Sequence, residues 1–349
     1  MPNAVIDLFC GIGGLTKGLE LAGLNVVAGI DIDESCRFAY EHNNRARFIS
    51  GDVGIIDSQK LLNYYPEECV KILVGCAPCQ PFSKYTQRYR KNGRSDDKWK
   101  LLYSFSRLVD ELDPSIISME NVPELEKEKI FNDFVNHLKN KGYSCSYSIV
   151  FCPDYGVPQK RKRLVLLASK FGDISLIPPI YTPDNYRTVR DAIYDLEQLE
   201  SGEMSENDRI HCTTKLNHLN LERIRQSTPG GTWRDWDESL QLKCHKKRSG
   251  KSYGAVYGRM LWDEPSPTIT TQFYGYGNGR FGHPEQDRAL SYREGALLQS
   301  FPSDYVFVEE GAKFNRRELG IHIGNAVPVE LGRAIGISIQ NHLQNMGAE

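Results

Sequence analysis

The sequence predicts an α/β chain: a doubly wound, mostly parallel sheet followed by a second, smaller domain. Two observations carry this. In the first half, strand-length apolar runs rich in β-branched residues alternate with helix-period patterns, as expected of strands joined by crossover helices. From about 180 to 317 the alternation stops, and short irregular runs rich in Gly, Tyr and charge mark a looser domain. The expected organisation is therefore 1–179 for the first domain, 180–317 for the second, and 318–349 for a C-terminal segment that packs back on the first.

The elements follow in order. AVIDLF (4–9), NVVAGI (25–30), KILVG (71–75), SIISM (115–119) and RLVLLAS (163–169) are strand-length and bounded by turn residues, with a further strand before SGDV. Leu101, Leu102, Phe105, Leu108, Val109 and Leu112 share one helical face, as do Ile130, Phe131, Phe134, Val135 and Leu138 before the stop at Gly142. PVELGRAIGISIQNHL (328–343) is again helical. The 349 residues, 40% hydrophobic and 25% charged, suffice to bury a full core. There is no apolar run of membrane-spanning length, and MPNAVIDLFCG lacks a charged n-region, so it reads as a first strand rather than a signal peptide. An intracellular, cytoplasmic protein with no membrane partner is expected. The nine cysteines, an odd number scattered through a long chain, are expected to be reduced thiols.

The formal net charge of −2 conceals segregation. From Lys84 to Lys100 seven Lys or Arg stand against two Asp, Lys160 to Arg163 is four bases in a row, and Lys243 to Arg259 holds six bases and no acid. Singly, each run is an ordinary solvated face. Interleaved with Tyr85, Tyr89, Trp99, Tyr253 and Tyr257, the three together favour nucleic acid, because phosphates attract cations and bases stack on flat rings.

The chemistry collects at strand ends. DLFCGIGG (7–14) ends a strand in glycines and enters a helix, allowing close approach of a ligand to Gly11, Gly13 and Gly14. Asp31, about twenty residues further on, sits where nucleoside-binding folds place a ribose carboxylate. Asp52, followed by Val53, is placed to accept from an adenine amino group. The glycine spacing differs from G-x-G-x-x-G, which suggests a nucleoside ligand without a pyrophosphate.

With GCAPCQPFS (75–83) after the fourth strand and MENV (119–122) after the fifth, the chain resembles the DNA (cytosine-5)-methyltransferases. The likeness runs through DLFCGIGG, GIDID, GDV, PCQPFS, ENV, QKRKR (159–163), YREGALLQSFP (292–302) and IGNAVP (323–328), in family order, leaving out about 180–290. It implies a Rossmann-like methyltransferase fold whose second domain recognises the target. It also implies S-adenosylmethionine as cofactor, S-adenosylhomocysteine as product, no metal, and duplex DNA as partner.

The resemblance makes Cys79 the nucleophile that adds to cytosine C6, a role suited to a thiol because thiolate is intrinsically nucleophilic. Pro78 and Pro81 stiffen the turn around it. Glu120 corresponds to the glutamate at cytosine N3 and its amino group, Arg163 to the arginine at O2, and Arg161 to a residue ordering the site. As an alternative, Glu120 and Arg163 form a simple ion pair. Phe9 is expected at the adenine and Asn325 at the methionine end of the pocket. Ile32 departs from the family's frequent aromatic residue there and offers apolar contact instead. Cys76, outside the core motif, reads as a small packing residue. Because such chemistry requires an unstacked base, Lys84 to Lys100 is expected to close over it, with Ser83, Lys84 and Arg88 on DNA. Sequence reading is expected between about Asn185 and Pro284. There Lys246, Lys247, Arg248, Arg259, Thr268, Thr270 and Gln272 can bond phosphates or base edges. The compact length suggests a bacterial restriction-modification setting, with a cognate restriction endonuclease acting on the same site, and a monomer. An RNA cytosine-5 methyltransferase and a non-catalytic nucleic-acid-binding relative are the rival readings. A zinc half-site at Cys76-x-x-Cys79 lacks a second ligand pair.

Overall fold

The computed structural model of the protein describes residues 2–78, 100–247, 250 and 253–346. In chain order the principal elements are β1 (Asn3–Leu8), α1 (Gly14–Leu21), β2 (Val26–Asp31), α2 (Arg37–Asn43), β3 (Arg47–Ser50), α3 (Ser58–Leu62), β4 (Val70–Gly75) and α4 (Lys100–Leu112). Then come β5 (Ile116–Asn121), α5 (Lys129–Asn140), β6 (Ser144–Phe151), β7 (Lys162–Ser169), α6 (Val189–Ile193), α7 (His218–Gln226), α8 (Tyr292–Leu298), α9 (Arg316–Asn325) and α10 (Val329–Met346).

The chain divides into two compact units, one of residues 1–155, 162–180 and 327–349, the other of 156–161 and 181–326. The boundaries differ from those expected. Residues 318–326 belong with the second unit, and so does 156–161, a short excursion between β6 and β7.

The first unit holds a seven-stranded sheet of order β3-β2-β1-β4-β5-β7-β6. Neighbours from β3 to β5 run parallel, whereas β7 is antiparallel to both β5 and β6. Strand order reverses between β1 and β4, and a crevice outside the carboxyl ends of the strands is where such sheets bind ligands. The parallel strands read as apolar runs because helices cover both of their faces. On one helix Leu102, Phe105, Leu108, Val109 and Leu112 of α4 are buried, and on another Ile130, Phe131, Phe134, Val135 and Leu138 of α5. The rings of Phe105 and Phe134 meet edge to face, 5.5 Å apart. β6, SCSYSIVF, was not foreseen. As an edge strand exposed along its middle it needs no apolar run, so its residues alternate polar with aromatic or aliphatic.

α10 lies against α1 through glycines. A Cβ at Gly18 would stand 2.3 Å from the Val329 carbonyl oxygen, and one at Gly336 would stand 2.6 Å from Ala22 Cβ. The Ser338 hydroxyl accepts from Ile177 N at 2.9 Å, tying the same helix to the segment after β7.

The second unit has few regular elements and is held by buried polar groups. Arg288, fully buried, donates to both Glu294 oxygens at 2.8 and 2.7 Å. Burial pushes the Glu294 carboxyl up, but Arg288, with His283 and His211, outweighs it and holds it at about 2. His283 Nδ1 accepts from Glu285 N and Gln286 N, and burial pushes this imidazole down to about 4, so it is neutral at pH 7.

Because the obstacle at Gly18 is backbone rather than a flexible side chain, Gly18→Ala must push the two helices apart. The expected cost is about 1–3 kcal/mol. It should be read as a lower urea midpoint at unchanged m-value.

Candidate active site

The pairing register sets the site. Leu8 pairs with both Ile30 and Gly75, and Gly75 with Met119. The next residues of β2, β1, β4 and β5, namely Asp31, Phe9, Cys76 and Glu120, therefore follow one row of the sheet at its carboxyl edge. Gly75 is required there, since a Cβ would stand 2.8 Å from the Leu8 carbonyl oxygen.

The loop after β1 turns through three positive-φ residues, Phe9 (61°), Gly11 (51°) and Gly13 (86°), before Gly14 opens α1. Asp31 orders it. Its Oδ2 accepts from Gly11 N at 2.8 Å and its Oδ1 from Asp33 N at 2.9 Å, leaving each oxygen a further lone pair. A Cβ at Gly11 would meet nothing within 4 Å, so the loop borders open space. After β3, Asp52 is half-buried and takes Gly54 N on Oδ1 at 2.7 Å, while Val53 is buried. Ile32 and Ile55 are 70% and 84% exposed and offer apolar surface beside these carboxylates. A partly open carboxylate, a glycine loop and apolar faces fit a nucleoside.

Two groups that sequence reasoning missed brace this loop cluster. Arg107 of α4 donates from Nη2 to the Val53 carbonyl at 3.0 Å and to Ile56 O at 3.3 Å, and from Nη1 to Glu111. Only its i,i+4 pairing with Glu111 was legible, and that reads as surface decoration. Behind the loop, Asp7 Oδ2 accepts from the Thr16 hydroxyl at 2.7 Å, and Thr16 meets the Tyr40 hydroxyl at 3.0 Å. Asp7 Oδ1 is buried with no hydrogen-bond partner among the described residues.

On the other side of the edge, Glu120 is 2% exposed. Arg163 Nε lies 2.7 Å from its Oε1, close but not aligned as a hydrogen bond, so Oε1 has no hydrogen-bond partner among the described residues. The ion pair weighed as the alternative reading is thus present, and it joins the two residues singled out for the base. Cys76 is not merely a packing residue: its thiol donates to Glu120 Oε2 at 2.8 Å. Asn121 fixes the same junction, donating to the Ala77 carbonyl at 3.1 Å. Pro78 is exposed. Cys79, Ser83, Lys84 and Arg88, like Arg248, lie outside the described residues.

In the second unit Arg161 is buried and donates to Ile269 O at 3.1 Å. Gln159 stands beside it, accepting from Ile269 N and donating to Gln299 Oε1 and the Leu298 carbonyl. Asn325 is exposed at the end of α9. Lys246 and Lys247 are exposed next to a buried His245, whose ring stacks on Trp233 at 4.2 Å. Thr270 and Gln272 are exposed, whereas the Thr268 hydroxyl is spent on Lys160 O at 2.9 Å. Arg259 is corrected. It is 5% exposed and donates to the carbonyls of Ile224, Ser227, His283 and Gln286, so it holds loops together and is not available to DNA.

This sheet, and motifs in one order along it, define a methyltransferase: a sequence profile of the C-5 cytosine-specific DNA methylases matches residues 3–341, and the chain belongs to that family. It is a DNA cytosine-5 methyltransferase with the Rossmann-like fold of that class. It is 56% identical over 349 residues to the Type II methylase M.HgiDII of Herpetosiphon aurantiacus, covering 99% of this chain and 97% of that one. To the Type II methyltransferase M.Eco47II of Escherichia coli it is 32% identical, covering 98% and 80%. Among solved structures it is similar to a protein described as a DNA modification methyltransferase of an E. coli prophage, with a TM-score of 0.74, 23% identity and coverage of 98% and 99%. It is also similar to S. pombe Dnmt2 methyltransferase, with a TM-score of 0.62, 16% identity and 99% of each chain covered. At these identities the structures speak to the fold.

Burial raises the Asp7 carboxyl from 3.8 to about 7, with Asp31 adding to the rise and Thr16 opposing it. Between those values the folded state binds more protons than the unfolded one, so this group's contribution to stability is fully present below 3.8 and is lost as pH rises through about 7. Asp7→Asn keeps an acceptor for Thr16 and does not titrate. Urea unfolding at pH 5 and pH 8.5 should show the variant gaining on the wild type by about 2–3 kcal/mol at the higher pH.

Proposed function

We propose that the protein transfers a methyl group from S-adenosylmethionine to C5 of a cytosine flipped out of a specific short duplex sequence, through a covalent bond between Cys79 Sγ and cytosine C6. The observation that carries this reading is the register just described, in which an Asp31-ordered glycine loop and a buried Glu120 beside Arg163 share one sheet edge, at the strand end that leads into PCQPFS. The cofactor, when bound, supplies an electrophilic methyl group on sulfonium. Asp31 would hold the ribose hydroxyls and Asp52 the adenine amino group, with Phe9, Ile32 and Val53 contributing apolar contact. Gly11, Gly13 and Gly14 would allow close approach, and Pro78 would border the pocket.

Cytosine C5 is a weak nucleophile until the thiolate of Cys79 adds to C6. Glu120 would hold N3 and the exocyclic amino group, sharing a proton at N3 as C6 is attacked, while Arg163 would turn from Glu120 to the base O2. Loss of the C5 proton and departure of the thiolate then restore the aromatic ring and free Cys79. Arg161, bonded to Ile269, would order the loop that precedes β7. Exposed Lys246, Lys247, Thr270 and Gln272 support a target-recognising role for about 185–284, with lysines on phosphates and polar side chains on base edges. Because nucleophile, acid and cofactor loop come from one chain, a monomer suffices. The relatives' Type II names support an intracellular bacterial setting with a cognate endonuclease.

Bisulfite sequencing of duplex treated with the purified protein tests the reading, and unconverted cytosines at one repeated site are the expected outcome. With duplex carrying 5-fluorocytosine, the wild type should form a covalent adduct visible by denaturing gel, because fluorine blocks the final elimination. Cys79→Ala should form none and lose all methylation, and an adduct that persists in it would refute the assignment.

Asp31→Ala should weaken cofactor binding by about 1–3 kcal/mol through lost charged hydrogen bonds. Calorimetry reads this directly, and unchanged affinity would remove Asp31 from the pocket.

A further inference from the structure

We infer that Cys76 is a positioning residue whose thiol fixes the carboxylate of Glu120 throughout the reaction. The inference rests on Glu120 being the group that holds the target base. Parallel pairing ends at Gly75 and Met119, so Cys76 and Glu120 are the next residues on neighbouring strands and their side chains meet directly. The thiol reaches Oε2 at 2.8 Å, while Arg163 lies at Oε1. These two partners differ in kind. Arg163 is a long, flexible side chain that can leave Glu120 for the base. Cys76 has a single side-chain torsion on a backbone pinned to β1, with its N–H donating to Leu8 O at 3.3 Å, and Asn121 holds the adjoining Ala77 carbonyl. When Arg163 turns away, the thiol is what keeps Glu120 in its rotamer. An alanine here would fill the space nearly as well but could not donate. The residue type is therefore chosen for its proton.

Three variants test this against methyl transfer by the wild type. Cys76→Ala should lower kcat about tenfold at unchanged KM for cofactor. Cys76→Ser, which keeps a donor, should return kcat to within about twofold of wild type. Equal loss in both variants, or a loss seen only in KM, overturns the proposal. If Cys76→Ala melts early, the serine variant decides alone: a folded protein with tenfold lower kcat overturns it. Glu120→Gln distinguishes this failure from failure of the underlying reading, for wild-type turnover in Glu120→Gln would show that Glu120 does not serve the base, and the proposal falls with it. The bond itself is read by infrared: the S–H stretching band absent from Cys76→Ala should shift in Glu120→Gln, and an unshifted band refutes the contact.

Discussion

The site depends on one constraint, the parallel register at the carboxyl ends of β2, β1, β4 and β5, which is regular there although β1 and β2 shift by one residue between Val5 and Ile6. Because Leu8, Ile30, Gly75 and Met119 lie in one row, the four residues that follow them stand at the same height, and each strand delivers a different chemistry to the same edge. A slip of one residue in any strand would turn its side chains to the opposite face and dismantle the arrangement. The core enforces the register. β1 is buried from Ala4 to Leu8, and the apolar stripes of α4 and α5 share one core cluster with the strands. Precise placement of polar groups at the edge is thus a by-product of apolar packing behind it.

Burial treats the carboxylates of the chain in opposite ways, and the partners explain the difference. Asp7 has no cation beside it among the described residues, only hydrogen bonds from Thr16 and the like charge of Asp31, so desolvation prevails and its carboxyl stays protonated until about pH 7. Glu294 is no less buried, yet the bidentate Arg288 reverses the sign and keeps it charged. Glu120 stands between these arrangements, flanked by a guanidinium that is close but misaligned and a thiol that is short and fixed. A carboxylate that must receive a base needs partners that can yield, and a full fork like that of Arg288 would hold it too completely.

The sheet was legible because buried parallel strands are continuous apolar runs, and the motifs because they occur at strand ends in one order. β6 escaped notice because an edge strand is solvated and carries little apolar signal. Cys76 was read as packing since a thiol's usual role is to behave as a small hydrophobe, and its partner lies 44 positions away in sequence. Arg107 was invisible for a similar reason: its acceptors are carbonyls after β3, more than fifty positions off, and backbone acceptors leave no mark in the residue pattern. What the sequence conveys poorly is any contact in which one partner is main chain.

That limit also accounts for the misreading of Arg259. An irregular domain has carbonyls that no helix or strand satisfies, and buried ones are costly unless paired. The second unit answers with arginines: Arg223 donates to Leu240 O, Arg280 to Gly231 O, Arg209 to Ala312 O and Arg293 to Tyr305 O, while Arg259 alone serves four carbonyls. The five-donor fork that suits a phosphate suits a loop carbonyl equally well, so basic runs in such a domain mix structural arginines with surface cations. Lysine, a single point charge that remains hydrated, is the less ambiguous marker. Among the described residues from Lys243 to Arg259, the cation buried among loops is Arg259, whereas Lys243, Lys246 and Lys247 stand exposed around the His245 that anchors them on Trp233. The division between holding the domain together and facing a polyanion follows the chemistry of the cation rather than its place in the run.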